Sequence, residues 1–371
     1  MSLKTYKLGE LISLVDERNL ERIKRFYGIN INKEFMPTVA NTNELDESKY
    51  KVVRKNRFVF SGMQTGRDEC IRISMYLKDE PVIVSPAYVT FEISRTDLVL
   101  PMYFFMLFLS KEKDRLGWFY SDGSIRSNLD WPVFCDISIT LPDLPTQQKY
   151  VQMYNSMIAN QKSYEQGLDD LKLTCDAYLD KLKKECDKQD IGKYIVPCDL
   201  RNESEKLTIE NLRGISTEKK FINTKADMMD VSLKNYKIVK QNEFVYVADT
   251  SRRGDKIALG FNDSNENILV SSIYTVFKII DTDAIDPHYL MMFFTRNEFD
   301  RYARFNSWGS ARETFDWSEM CSVKIPIPDI KVQRAIADIY KVYTERKRIN
   351  EQLKQQIKDI CPILIKGSLE E

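Results

Sequence analysis

The sequence predicts an α+β protein: two tandem mixed α/β globules joined by two long, antiparallel, coiled-coil-like helices. Three observations predict it. The chain repeats itself at a constant offset, Tyr50 recurring as Tyr236 and Trp131 as Trp317. Each copy opens with short runs rich in Val, Ile, Phe and Tyr, the mark of strands. Each closes with a long stretch of helical periodicity whose apolar stripe needs a partner.

The duplication runs without a gap from Gly28 to Val151. Tyr50, Lys51, Val53, Asn56, Phe58 and Val59 recur as Tyr236, Lys237, Val239, Asn242, Phe244 and Val245. Ser85 and Tyr88 recur as Ser271 and Tyr274, and Pro101, Tyr103, Glu112, Asp114 and Arg115 as Pro287, Tyr289, Glu298, Asp300 and Arg301. The motif Gly123-Ser124-x-Arg126 with Asp130-Trp131 returns as Gly309-Ser310-x-Arg312 with Asp316-Trp317. Even Cys135 and Cys175 lie over Cys321 and Cys361, as scaffold positions would and the ligands of a single metal cluster would not.

In each copy, residues 51–60 and 82–93 read as strands, and residues 101–115 and 287–301 as helices that begin at proline and pack on them. Trp131 and Trp317 each open an apolar, strand-like run and read as core. The cluster Gly117-Trp118-Phe119-Tyr120 reads as packed as well, with stacking on a base as the alternative. After Pro142-Asp143 and Pro328-Asp329 come the long helices. From 146 to 188 there is no proline and Gly167 is the only glycine.

Tyr154, Gln161, Leu168, Cys175 and Leu182 occupy one heptad position of that helix, and Met157, Tyr164, Leu171 and Tyr178 another. Ile336, Ile339, Tyr343, Leu353, Ile357, Ile360 and Leu364 form the seam of the second helix, with Val332, Arg346 and Asn350 in the same stripe. At about 1.5 Å per residue, forty residues make a strut of roughly 60 Å. Closing the two helices on each other places the globules at its ends under a pseudo-two-fold axis. Polar Gln161, Arg346 and Asn350 are expected at a wet edge of the seam, with a role in register as the alternative. The domains are thus expected at 1–145 and 189–331, with helices at 146–188 and 332–371.

Composition limits the function. Lys plus Arg equal Asp plus Glu at 55 each, so any DNA binding must come from local basic surfaces. Seven cysteines without CxxC spacing suggest neither zinc nor a disulfide framework, and a single histidine, His288, argues against histidine-based hydrolysis. No cofactor is implied. No apolar run reaches eighteen residues and no signal peptide opens the chain, so no membrane is expected and the cytoplasm is the expected location.

Two similar globules held apart suit a long ligand with two separated features, as in duplex DNA read at half-sites roughly 34 Å apart. At this point a family resemblance appears. Tyr50-Lys51-Val52-Val53, Phe58-Val59-Phe60, Val84-Ser85-Pro86-Ala87-Tyr88, Gly123-Ser124-x-Arg126 and Ile139-Thr140-Leu141-Pro142-Asp143-Leu144-Pro145-x-Gln147-Gln148 before a long helix resemble one target-recognition domain and spacer of Type I restriction-modification specificity subunits. The second copy keeps the pattern through Val332-Gln333-Arg334 but has Ser272 where the family often has proline. The resemblance implies a non-catalytic subunit that reads a bipartite, asymmetric double-stranded DNA target. It also implies partners: two adenine-methyltransferase subunits docked on the helices, and restriction/translocase subunits in the full complex. The chain has no Asn-Pro-Pro-Tyr, GxGxxG or Walker motif of its own.

Readers should lie where the copies diverge, at residues 61–80 and 247–267. Gln64, Thr65, Arg67 and Arg72 in the first, and Thr250, Arg252 and Arg253 beside Gly254 in the second, have the chemistry to contact bases and phosphates. The alternative is a solvated loop. Ser124, Arg126, Ser310 and Arg312 lie in the shared motif and suit a common task, gripping phosphate. Their alternative is an arginine paired to Asp130 or Asp316. Two rival functions are weaker. A coiled-coil scaffold leaves the duplicated globules unexplained. A PD-D/E-K nuclease built from Asp143, Asp170 and Lys172 fails because Asp170 and Lys172 point to different helix faces, and the second copy has Gln356 for Asp170.

Overall fold

The structure, a computed structural model, describes residues 3–39, 41, 42, 45–224, 231–250, 256–309 and 312–370. The chain forms two compact units, residues 1–164 with 349–371, and residues 165–348. Elements of the first copy are β1 (Lys4–Lys7), β2 (Ile12–Leu14), β3 (Phe26–Ile29), β4 (Phe35–Pro37), β5 (Lys51–Val53), β6 (Phe58–Ser61), α1 (Thr65–Asp68), β7 (Arg72–Met75), β8 (Val82–Val84), β9 (Val89–Ile93), α2 (Pro101–Leu107), α3 (Lys111–Phe119), α4 (Trp131–Asp136), β10 (Ser138–Leu141) and the long α5 (Leu144–Glu185). Those of the second are β11 (Lys188–Asp190), β12 (Ile195–Cys198), β13 (Arg213–Ile215), β14 (Phe221–Asn223), β15 (Lys237–Val239), β16 (Glu243–Tyr246), β17 (Leu259–Phe261), β18 (Ile268–Val270), β19 (Thr275–Ile279), α6 (Pro287–Phe294), α7 (Asn297–Phe305), α8 (Trp317–Cys321), β20 (Lys324–Pro326) and α9 (Ile330–Glu370).

The repeat in sequence is a repeat in structure. The first unit holds a sheet of order β2-β9-β6-β7, and the second one of order β12-β19-β16-β17. Phe60 pairs with Ile73 in one sheet, and Tyr246 with Leu259 at the same register in the other. The central strands follow from strand periodicity. Phe58 and Phe60 point to one side, into a core with Phe91, Phe104 and Phe134, while Val59 points to the other, among Ile29, Val53, Tyr76 and Val84. In the copy, Phe244 and Tyr246 face Phe277 and Phe294, and Val245 faces Val239 and Val270. Both faces of these strands are buried, which is why the runs are apolar throughout instead of alternating.

The predicted helices after Pro101 and Pro287 are each two helices. The first breaks at Ser110, whose hydroxyl accepts from Lys113 N and so starts α3. Trp131 and Trp317 open short helices, not strands, because Asp130 and Asp316 stand at extended N-cap positions. Both tryptophans nevertheless pack on the cores, Trp131 against Phe60, Phe91 and Phe134. Cys135 and Cys321 lie against Gly9 and Gly192, so closely that a Cβ on either glycine would stand 3.1 or 2.7 Å from the cysteine Cβ.

Each unit contains a piece of both long helices, running antiparallel. In the first unit Gln161 Nε2 donates to Asn350 Oδ1 at 2.9 Å, and Tyr150 lies beside Gly367. In the second, Cys175, Leu179 and Leu182 share a core with Ile336 and Ala337. Leu168, Leu182, Ile336, Ile357 and Leu364 are buried as seam residues, and Tyr154 with them. Met157, Leu171, Ile339, Tyr343, Leu353 and Ile360 are half-buried. Two expectations need correction. Tyr178 is 47% exposed and Leu179, at 1%, takes its place. A straight helix at 3.6 residues per turn drifts about 20° per heptad, so the stripe has moved on by one residue at that point. Gln161 and Asn350 are not at a wet edge: they are buried and bonded to each other, while Arg346 is exposed.

A pair of glutamines ties each long helix to its globule. Gln147 Nε2 donates to the carbonyls of Leu98 (2.8 Å) and Pro142 (2.9 Å), and its Oε1 accepts from Leu100 N (2.9 Å). Gln333 does the same with Ala284, Pro328 and Asp286. Both side chains are fully buried, so these bonds satisfy carbonyls and an amide that would otherwise be costly. Among the described residues no helix is long and apolar enough to cross a membrane, and no cluster of three or more His, Cys, Asp or Glu could hold a metal ion.

Candidate nucleic-acid interface

In each unit the structure joins the divergent loop to the segment carrying the shared Gly-Ser-x-Arg motif. Leaving β6, Gly62 passes so close to the second segment that a Cβ would lie 1.9 Å from the Leu129 carbonyl oxygen. Leu129 N donates to Gly62 O (2.8 Å), Gly66 N to Ser127 O (2.9 Å), and Gln64 N to Asn128 Oδ1 (3.1 Å). In the second unit Phe315 N donates to Ala248 O (2.8 Å) and Thr250 N to Glu313 O (3.0 Å). Leu129 to Gly62 and Phe315 to Ala248 are the same bond in the two copies.

A buried ion pair fixes the far end of each loop. Lys33 Nζ lies 2.7 Å from Asp114 Oδ1, and that oxygen also accepts from Ile71 N at 3.0 Å. In the copy Lys219 pairs with Asp300, whose Oδ1 accepts from Ile257 N at 3.1 Å. Lys219 also donates to the Ile257 carbonyl. Both lysines take left-handed backbone conformations, φ 62° and 60°, strained for a side-chain-bearing residue and held by the surrounding bonds. Burial pulls the Lys219 ammonium pKa down while the Asp300 carboxylate pushes it back up. Asp114 and Asp300 stand out in the repeat, and their lysine partners recur at the same offset, Lys33 as Lys219, a signal by which the sequence could have found them.

Most of the expected site residues lie at this junction, in differing roles. Arg67 is exposed at the tip and makes no ion pair among the described residues. Arg72 is half-buried, pairs with Asp68 and reaches Gln64 Oε1 at 3.5 Å, so its guanidinium is already engaged. Gln64 holds a left-handed turn at φ 60°. Thr65 and Thr250, expected to face DNA, are instead buried: their hydroxyls donate to Gly62 O (3.0 Å) and Glu313 O (3.1 Å). Both threonines brace the junction from inside.

In the shared motif, Asp122 Oδ1 accepts from the Ser124 hydroxyl (2.5 Å), Ser124 N (3.1 Å) and Asn128 N (3.0 Å). These bonds, the serine hydroxyl first, hold the Asp122 carboxyl below its ordinary range. Ser124 therefore closes the turn and does not stand free as a donor. Arg126 and Arg312 are exposed and, among the described residues, pair with neither Asp130 nor Asp316. Arg252, Arg253 and Ser310 lie outside the described residues. The Trp118-Phe119-Tyr120 cluster is not packed but exposed, because α3 buries only its Gly117 face, against Ile71 and Thr65.

Residues 181–359 match the family model of the Type I restriction modification DNA specificity domain. The chain thus resembles that family over just under half of its length. It is also similar in fold to the Type I restriction-modification S subunit from M. genitalium, at 11% identity and TM-score 0.58, over 99% of this chain and 96% of that one. The HsdS subunit of Thermoanaerobacter tengcongensis aligns at 16% identity and TM-score 0.38, covering 99% and 97% of the two chains. No curated protein sequence matches the chain. DNA recognition is the role of the Type I specificity family, whose members are non-catalytic. In this chain the exposed Arg67 lies in the first divergent loop, and the exposed Arg126 and Arg312 lie in the segments bonded to the two loops.

Proposed function

We propose that this chain is a specificity subunit that reads a bipartite, asymmetric target in double-stranded DNA, one half with each unit, and performs no chemistry itself. The observation that carries this reading is the loop junction. The same bonds anchor it in both units, while the loops themselves, 61–80 and 247–267, differ in sequence. A common frame with different tips suits two readers of different half-sites. Functionally we assign the target-recognition domains to 1–145 and 189–331 and the spacers to 146–188 and 332–371. The charged outer faces of the spacers, with Lys181, Lys184, Lys347 and Arg348, are the docking surface for two adenine-methyltransferase subunits. Restriction/translocase subunits join through them, and the complex acts in the cytoplasm.

Arg126 and Arg312 grip phosphate, since a base reader would not recur in both halves. Arg67 reads bases in the first half, and Arg252 and Arg253 in the second. The test is selection from a random duplex pool followed by sequencing. Arg126→Ala or Arg312→Ala is expected to weaken binding by about 1–2 kcal/mol on all sequences alike and to lower the salt slope by about one unit. A change in the selected sequence would refute the phosphate role. Recovery of no consensus by the wild-type chain would refute the function itself.

A further inference from the structure

Two phenylalanines occupy one position of the repeat, and the fold gives neither a partner layer. Phe119 is the last residue of α3 and is 78% exposed; Phe305 is the last of α7 and is 77% exposed. The helix exits that hold them are built alike. Tyr120 N donates to Leu116 O (3.1 Å) and Asn306 N to Tyr302 O (3.0 Å). The Ser121 hydroxyl donates to Gly117 O (2.9 Å) and the Ser307 hydroxyl to Ala303 O (2.6 Å). Both chains then run directly into the Gly-Ser-x-Arg segment, so each phenylalanine stands shortly before an exposed arginine, Arg126 or Arg312. The flanking residues differ: Trp118 and Tyr120 correspond to Arg304 and Asn306. Only the phenylalanine is shared.

An exposed aromatic at a helix end, followed in the chain by an exposed arginine with no ion pair among the described residues, fits a surface that is charged outside and apolar within, as duplex DNA is between its stacked bases. A contact to one thymine methyl would make it a sequence reader, and readers should differ between the halves. We propose that Phe119 and Phe305 are wedges: each enters a base step in its own half-site and unstacks it while the neighbouring arginine holds the phosphate. This rests on the DNA reading above. It adds that the specificity subunit itself opens the duplex, lowering the cost of extruding a base for a partner enzyme.

The probe is permanganate, which oxidises unstacked thymines, applied to the duplex that the full-length chain enriches from a random pool. Thymine is placed in turn at every position that tolerates it. The bound duplex is expected to show one reactive step in each half. Phe119→Ala should lose the signal in one half and Phe305→Ala in the other, down to the level of free duplex, whereas Phe119→Trp and Phe305→Trp should keep it. An enriched duplex that stays fully stacked overturns the wedge and leaves DNA recognition standing, whereas failure to enrich any duplex overturns the reading beneath it. Signals unchanged in both alanine variants overturn the wedge too. So does a loss of affinity on replacing thymine with uracil that equals the loss in the alanine variant, which would mark a methyl contact. Loss of methyltransferase co-purification with the DNA signals intact would assign the pair to a protein interface and overturn it equally.

Discussion

Asp300→Ala is expected to destabilise the second unit by about 3–5 kcal/mol, the range for removing one partner of a buried ion pair. Lys219 and Asp300 are 6% and 8% exposed, so the deletion leaves an ammonium in the interior with the Ile257 carbonyl and the Phe299 ring face to solvate it, and it orphans Ile257 N. At about 2–4 °C per kcal/mol for a unit of this size, thermal unfolding should shift down by roughly 10 °C. Asp114→Ala should cost less, since Asp114 is 18% exposed and water reaches part of the site. Replacing both members, Lys219→Met with Asp300→Leu, should restore most of the loss, because an apolar pair carries no desolvation penalty. Calorimetry together with amide exchange at Ile257 checks this. An alanine variant as stable as wild type would show that the pair does not hold the loop.

The second large effect concerns recognition. Exchanging residues 61–80 with 247–267 is expected to exchange the two half-site sequences in the selected DNA. The frame permits it. β7 and β17 pair with β6 and β16 in the same register, and the Ile71 and Ile257 amides that the exchange carries meet equivalent aspartates. Each bidentate base contact moved with its loop should transfer roughly 1–3 kcal/mol of discrimination. Half-site sequences that stay in place after the exchange would locate the readers elsewhere on the globules.

The architecture was legible because duplication turns one ambiguous pattern into two that agree. The buried strands, the Pro-started helices and the antiparallel seam all followed from periodicity read twice. What was hidden is long-range polar bonding. Gln147 and Gln333 sit in a polar-looking helix start, and their burial depends on the carbonyls of Leu98 and Ala284, far upstream. Lys33 and Lys219 recur at the repeat offset, but nothing local marks them as buried until the fold places Asp114 and Asp300 beside them. Gln161 and Asn350 look wet one at a time and are dry only as a pair. The exposure of Phe119 was missed for the reverse reason, since aromatic residues default to packing when no partner surface is known. At the loops, sequence found the junction but not which side chains face outward: Thr65 and Thr250 turned inward because their hydroxyls had backbone carbonyls within reach.

The composition of the first unit bears on how the protein is made. Its core closes only when Ile357, Cys361 and Leu364 pack on Phe104 and Met106, and Ser368 reaches the Tyr103 hydroxyl at 2.7 Å. Those partners come from the first third of the chain and from its last helical turns, whereas everything in the second unit lies within residues 165–348. On the ribosome the globule translated first is thus the one completed last. Its apolar helix face must wait, shielded or at risk of aggregation, until synthesis has passed Ser368. A premature stop in the final two turns of α9 would then injure the unit whose strands lie far upstream in the chain.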